Sequence, residues 1–413
     1  MKSTAFWWAL GTLAIAAQTT PPDSDDAAYP AIERFVQVLE TVRARHPDAE
    51  RLAYDRLVNH ALEGMLASLD PHSSFIHPEM AALMKQTPGM DPDVPSLGLT
   101  FGLRADGPYV AAVAPHGPAA SAGVLPGSAV LKIDGREIGS AGFSDWIAAL
   151  QRPAGAVTEL LIKSPASPNP VQISLTHRVV EDRSVAEATL LNKEPDTGYV
   201  RLAEFGSGCA AEVEAALDEL EDGGMTSLIL DLRGNGGGDL GETVKILGLL
   251  VPPETVVVTI RSRTEEANET LKTPSRQRRK RDYPVIVLID RMSASASELT
   301  AGALQDLDRA TVVGELSYGK GSVQNIIPMD GGTALRLTIA TYHTPSGNTP
   351  HRKGITPDVT VSISEEDRER FAKRCRLATL APDEKAAIEQ WEDPVMRAAI
   401  ETLKRLPEHR EKR

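Results

Sequence analysis

Ser227-Leu228-Ile229-Leu230-Asp231-Leu232-Arg233-Gly234-Asn235-Gly236-Gly237-Gly238 is the stretch that decides the fold. Its apolar run does not alternate, so it reads as a strand covered on both faces, the pattern of a parallel sheet between helices. Val285-Ile286-Val287-Leu288-Ile289 repeats the pattern, and Tyr199 to Leu202 reads as a further strand. Between them Glu212 to Leu220 places Val213, Ala216, Leu217 and Leu220 on one helical face. Strand and helix thus alternate as in an α/β core. The glycines behind the first strand admit conformations closed to other residues and let amide N–H groups point at a ligand. Their spacing is neither Gly-x-Gly-x-x-Gly nor a Walker A loop. Two readings stay open, a tight turn and an oxyanion-binding loop.

Outward from this core, Thr333 to Tyr342 alternates like a half-exposed strand. Ser262 to Asp282 is polar and carries Arg276-Gln277-Arg278-Arg279-Lys280-Arg281, a solvated loop or an anionic-surface patch. Gly98 to about Leu175 reads as a small β-rich module: strands at Tyr109–Val113, Ala129–Ile133 and Thr158–Ile162, a hairpin turn at Asp134-Gly135, and a short helix from Phe143 to Leu150. Thr87 to Pro95, with its prolines, reads as a linker. From Ala31 to Leu69 the pattern is helical, with Phe35, Val38, Leu39 and Val42 at spacings of three and four, then Leu57, Ala61, Leu62, Met65 and Leu66 likewise, and Asp70-Pro71-His72-Ser73 stops the second helix. After Ser364 the tail is charged and helical.

The chain has 413 residues and a formal net charge of −13, roughly two to four domains at about 100–200 residues each. That charge speaks against nucleic acid as a partner, because phosphate binding needs a basic surface. Cys209 and Cys375 are too few for a disulfide scaffold or a four-thiolate zinc site; they either pair or stand as independent thiols. No His-Glu-x-x-His pair occurs, and neither metal nor cofactor is expected. Ala5 to Ala17 is apolar behind Lys2, with small residues at Ala14 and Ala16. Residues 1–17 therefore read as a secretory signal peptide or, uncleaved, as a membrane anchor. An exported protein, periplasmic or otherwise extracytoplasmic, is expected.

Ser293-Ala294-Ser295-Ala296-Ser297-Glu298 follows the strand ending at Asp290 and precedes a helix. A serine on such a turn suits a nucleophile, since the next N–H lies at a positive helix end. Ser295-x-x-Glu298 is equally a capping box, which makes Ser295 a plain N-cap. In Tyr318-Gly319-Lys320-Gly321-Ser322-Val323-Gln324, glycines flank Lys320, which reads either as an ordinary surface lysine in a loop or as one desolvated by close backbone. A lysine serves as base for a serine only when lowered from about 10.4 toward about 7–8. Gln324 lies four residues on, on the same strand face, where its amide oxygen can orient the ammonium.

At these residues the chain resembles the C-terminal processing (tail-specific) peptidases, secreted serine peptidases with a Ser–Lys centre. Five motifs match in family order: Gly64 to Ser73, Leu97 to Gly135, Asp231 to Gly238, Ser293 to Glu298 and Gly319 to Gln324. The resemblance spans about residues 30 to 360. It implies a crotonase-like α/β peptidase core at 179–363, a PDZ domain at 88–178, a helical region at 28–87 and a helical tail at 364–413. It implies Ser295 as nucleophile, Lys320 as general base and Gln324 as the residue orienting it. The oxyanion amides fall on Ala296 and on Gly236 or Gly237. The PDZ resemblance implies that N–H groups of Leu97, Gly98, Leu99 and Thr100 capture a substrate's terminal carboxylate while Phe101 lines the side-chain pocket. Ser96 stands where the family has glycine. His72 matches a signature but reads as a hydrogen-bonded turn residue. The implied activity is endoproteolysis near nonpolar C-termini, with self-association or an activating adaptor as further partners. A catalytically silent binding protein and a PDZ adaptor on the same scaffold are the alternatives.

Overall fold

The computed structural model describes residues 25–78, 81, 96–104, 107–114, 117–125, 127–137, 150, 152–164, 169–179, 183–191, 194–377 and 380–406. The signal segment 1–17, the whole linker 87–95 and nearly all of the expected Phe143–Leu150 helix lie outside them. Two compact units divide between Leu69 and Asp70. The first contains the helices Asp25–Arg45 and Tyr54–Ala67. Of the expected apolar face Phe35, Val38 and Val42 are exposed and Leu39 is half-buried. Among the described residues no helix is long and apolar enough to cross a membrane.

The second unit is α/β and is built on three sheets. At its centre Ser227–Asp231 pairs in parallel with Glu194–Leu202 on one side and with Val285–Ile289 on the other. Thr311–Gly314 and Val359–Thr360 extend that parallel order, and Val185–Leu191 closes the opposite edge antiparallel. Alternate side chains of the central strands go to opposite faces. Leu228, Leu230, Val285, Val287 and Ile289 join one core with Val213, Leu217, Ile246 and Leu299 of the helices Cys209–Asp222, Leu240–Leu250 and Ala296–Asp306. Ile229, Ile286 and Leu288 meet Val395 and Ala399 of the helix Pro394–Leu403 across the other face. Both faces are covered, which is why these strands carry no polar alternation.

A second sheet is antiparallel. Ala334–His343 pairs with Ser322–Pro328 along its length, and with Ser74–Ile76 and Val256–Ser262 over its two halves. The third sheet runs in the order Leu99–Arg104, Gly107–Val113, Ala129–Ile133, Val157–Lys163, Val171–Thr176, all antiparallel, around Val110, Val130, Leu160 and Leu175. Its hairpin turn is where the sequence put it. Asp134 and Gly135 both have positive φ, 48° and 77°, as the tight two-residue turn between strands requires.

Two readings that the sequence left open resolve. The arginine run lies outside helix and strand and is largely solvated, as one of the two readings expected, with Arg276, Arg278, Arg279 and Lys280 exposed. Arg281 is buried and donates to Asp218 at 2.9 Å and to Glu221 at 2.7 Å, while Arg278 and Arg279 pair with Glu214, Asp218 and Glu221 of the same helix. The acidic helix face pairs with the run and admits Arg281 alone to the interior, because a charge without a partner is not buried. Cys209 and Cys375 are both free, and burial followed by nearby Glu242 pushes the Cys209 thiol up to about 12.

Candidate active site

Ser295 stands at the junction of the strand Val285–Ile289 and the helix Ala296–Asp306. Its φ is 56° and its ψ −114°, a conformation that costs a non-glycine residue about 1–3 kcal/mol and persists only where its surroundings hold it. Several contacts hold it. Asp290 Oδ1 accepts the N–H groups of Met292 and Ser293 at 2.9 and 3.0 Å, and also that of Gly234 at 3.0 Å. The Ala294 N–H donates to the Asn235 carbonyl at 3.0 Å, and the Ser297 hydroxyl to the same oxygen at 2.9 Å. The glycine loop and the serine turn are therefore sewn together.

The expected capping box is present but unequal. The Ser295 N–H donates to Glu298 Oε2 at 2.9 Å. The return contact to the Ser295 side chain completes the box without the geometry of an ordinary cap hydrogen bond. Glu298 is fully buried and reaches further than its own helix. Its Oε1 accepts from the Ser317 hydroxyl and from the Gly319 N–H, the latter at 2.7 Å, and its Oε2 accepts from the Lys320 N–H at 2.8 Å. The Tyr318 N–H donates to the Ser293 carbonyl at 3.0 Å. One carboxylate thus ties the Ser295 turn to the Lys320 loop. The Ser-x-x-Glu spacing reveals the first half of this and nothing of the second.

The glycines divide by role. Gly237 has φ 104°, and a Cβ on it would lie 2.8 Å from the Ser295 Cβ and 2.8 Å from the Ala294 oxygen. Only glycine fits at that approach. Its N–H is committed to Asn235 Oδ1 at 2.8 Å, so this amide does not serve an oxyanion in the arrangement seen. Gly236 is exposed with open space around it. Among the described residues no hydrogen bond engages the N–H of Gly236 or of Ala296. Asn235 itself, whose amide also donates to the Leu202 carbonyl at 2.8 Å, was not singled out by sequence.

Gln324 departs from its expected contact. Lys320 precedes the strand Ser322–Pro328 rather than lying in it, and the strand's register shifts between Val323 and Gln324. The face-sharing rule for i and i+4 does not hold across that bulge. The Gln324 amide nitrogen donates to the Ser322 hydroxyl at 2.7 Å and to its carbonyl at 3.2 Å. Among the described residues no hydrogen bond joins it to Lys320.

Below the sheet end, Arg233 is buried between Asp231, at 2.6 Å, and Asp393 of the C-terminal segment, at 2.8 Å, with its guanidinium 3.9 Å from the centre of the Phe371 ring. The tail thereby anchors the residue that opens the glycine loop. In the third sheet Leu97 and Leu99 are buried. Gly98 has φ 68°, and a Cβ there would meet the Gly117 Cα at 2.8 Å. The Gly98 N–H donates to the Ser96 hydroxyl at 3.2 Å. Phe101 packs half-buried against the core of this sheet, and Thr100 pairs with Ala112.

A serine turn, a lysine loop and a glycine loop meeting over an α/β sheet, beside a small antiparallel domain, fit a serine-type peptidase with a second, β-rich domain. The match to known proteins agrees. The model of peptidase family S41 fits residues 196–361, and that of the PDZ domain fits 109–164. The chain is 34% identical over 359 residues to the carboxy-terminal-processing protease of Bartonella bacilliformis, covering 85% of this chain and 79% of that protein. It is 33% identical over 306 residues to the carboxyl-terminal-processing protease of Synechocystis, covering 73% and 70%. The solved structure of a photosystem II D1 C-terminal processing protease superimposes with a TM-score of 0.55 at 28% identity, covering 85% of this chain and 97% of that one. The chain belongs to peptidase family S41, among the carboxy-terminal-processing proteases.

Proposed function

We propose that the chain is an exported serine endopeptidase, led out of the cytoplasm by residues 1–17, that cleaves proteins near nonpolar C-termini. Its core is of the crotonase-like kind and its chemistry is a Ser–Lys mechanism. The Ser295 hydroxyl attacks a peptide carbonyl while Lys320, neutral at that moment, takes the proton. Lys320 then protonates the leaving amine, and water resolves the acyl-enzyme. The Ala296 and Gly236 N–H groups face the oxyanion. Gln324 orients Lys320 once substrate is bound, after turning from Ser322. Leu97 to Phe101 take the substrate tail as an added strand, the Gly98 N–H exchanging the Ser96 hydroxyl for the carboxylate.

The observation that carries this reading is the strained Ser295 turn, whose backbone shares one Glu298 oxygen with Lys320. Strain of that kind, held in place by a buried carboxylate, is kept where function needs it. Purified protein is mixed with a protein substrate ending in a nonpolar tail. Cleavage is lost in Ser295→Ala and in Lys320→Ala, both still folded by circular dichroism. Cleavage that persists in Ser295→Ala refutes the assignment. Binding of the tail without cleavage by the unaltered chain points to a silent binder or an adaptor instead.

A further inference from the structure

The Asp70-Pro71-His72-Ser73 turn is assigned nothing by the account above, yet it is built against the lysine loop. Asp70 Oδ1 accepts the N–H groups of His72 and Ser73 at 2.7 and 2.8 Å, and its Oδ2 accepts the Ser73 hydroxyl at 2.8 Å. That hydroxyl accepts the Thr338 N–H at 3.1 Å, and Thr338 is the strand partner of Gln324. The turn is therefore pinned to the sheet at the level of the Lys320–Gln324 segment. The His72 ring lies 6.5 Å from the His351 ring, centre to centre, at 53°. His351 belongs to the loop that covers the glycines on both sides of Lys320. A Cβ on Gly321 would come within 2.5 Å of the His351 nitrogen, and the Arg352 N–H donates to the Gly319 carbonyl at 2.8 Å. Among the described residues the Nδ1 of His351 is buried without a hydrogen-bond partner.

We propose that His72, carried on the turn pinned opposite Gln324 with its ring 6.5 Å from that of His351, is a positioning residue for the general base, the charge at this position governing how readily Lys320 takes the serine proton. The proposal rests on Lys320 acting as base. Four groups bear on the His72 ring. Lys320, His351 and Arg352 disfavour its protonation and Asp70 favours it; burial, the largest influence, adds to the first three and holds His72 below the ordinary imidazole value. That downward shift favours the uncharged ring. The chemistry needs this, because proton transfer from Ser295 turns Lys320 into a cation. A neutral ring tolerates that cation, whereas an imidazolium repels it. No bond forms to His72 and no proton is consumed there.

A permanent charge at this position tests the idea. The pH profile of kcat/KM is measured from pH 5 to 10 for the full chain, His72→Gln and His72→Arg. A fixed cation beside Lys320 lowers the midpoint by about one pH unit and the high-pH plateau about tenfold, while the neutral glutamine leaves the midpoint in place. A lesion that is only structural lowers the plateau without moving the midpoint. Equal midpoints in all three proteins overturn the proposal. Coupling between two charges is reciprocal, so a second measurement needs neither catalysis nor the arginine variant. The His72 ring is titrated by NMR in the full chain and in Lys320→Met. Its pKa rises in the variant; an unchanged value overturns the proposal. If Ser295→Ala still cleaves, the peptidase assignment fails while the His72 titration is still read independently.

Discussion

The backbone N–H groups of Ser295 and Lys320 donate to one and the same oxygen, Oε2 of Glu298, at 2.9 and 2.8 Å. The two residues are 25 positions apart in the chain, and the carboxylate between them is fully buried. Neither residue can shift without lengthening a charge-assisted hydrogen bond in a dry environment, where such bonds are strong.

Replacing Glu298 by glutamine puts an NH2 group where two N–H donors already point. We expect about 2–4 kcal/mol of lost stability, the cost of buried donors left without an acceptor. Turnover falls about 100-fold with KM nearly unchanged, because misplacement of reacting groups by an ångström has that effect. Urea unfolding and steady-state kinetics on Glu298→Gln measure both. Wild-type turnover in a folded variant rules out a role for the shared oxygen in alignment.

Gly236 and Gly237, the two glycines that follow Asn235, separate sharply. Gly237→Ala drives a methyl into the Ser295 Cβ at 2.8 Å, at a φ of 104°. Gly236→Ala meets nothing within 4 Å and keeps its N–H. The first substitution lowers kcat by about two orders of magnitude; the second leaves it within a few-fold of the parent. Comparable activities in the two purified variants would contradict this division.

Ser295→Gly removes a Cβ from a residue at φ 56°. The strain it relieves amounts to about 1 kcal/mol or more. The variant unfolds at a higher denaturant concentration than Ser295→Ala while both lack cleavage activity. If glycine is no more stable than alanine here, the turn carries no strain.

His72 and His351 set a pH dependence of stability. Both rings are held below the ordinary imidazole value, His72 by burial and then by the Lys320 charge, His351 by burial and then by Arg352. For a histidine shifted downward, the unfolded chain binds more protons between the folded value and about 6.5. Their stabilisation is complete above that window and declines as pH falls through it. Unfolding free energies between pH 8 and 5 should fall less steeply in the double variant His72→Gln/His351→Gln. Parallel curves for the two proteins would show that these rings do not titrate differently on folding.

Local pattern alone determined much of this protein. Leu228 to Leu230 and Val285 to Ile289 had to be covered strands because no position in them tolerates water. Asp134-Gly135 had to turn because both residues accept positive φ. The serine turn was legible because a strand, a short loop and a helix start are written within a dozen residues. What the tertiary structure decided lies in contacts between segments remote in sequence. Glu298 reaches across 22 residues to Lys320, Arg281 is drawn to Asp218 across 63, and Ser73 reaches Thr338 across 265. The commitment of the Gly237 amide to Asn235 and the turning of Gln324 onto Ser322 belong here too. Both are local in sequence but depend on which hydrogen-bond partners remain once the sheets have packed. Side-chain periodicity reports which face is buried; it carries no information on which buried donor meets which acceptor, because that depends on where separate segments are brought together in space.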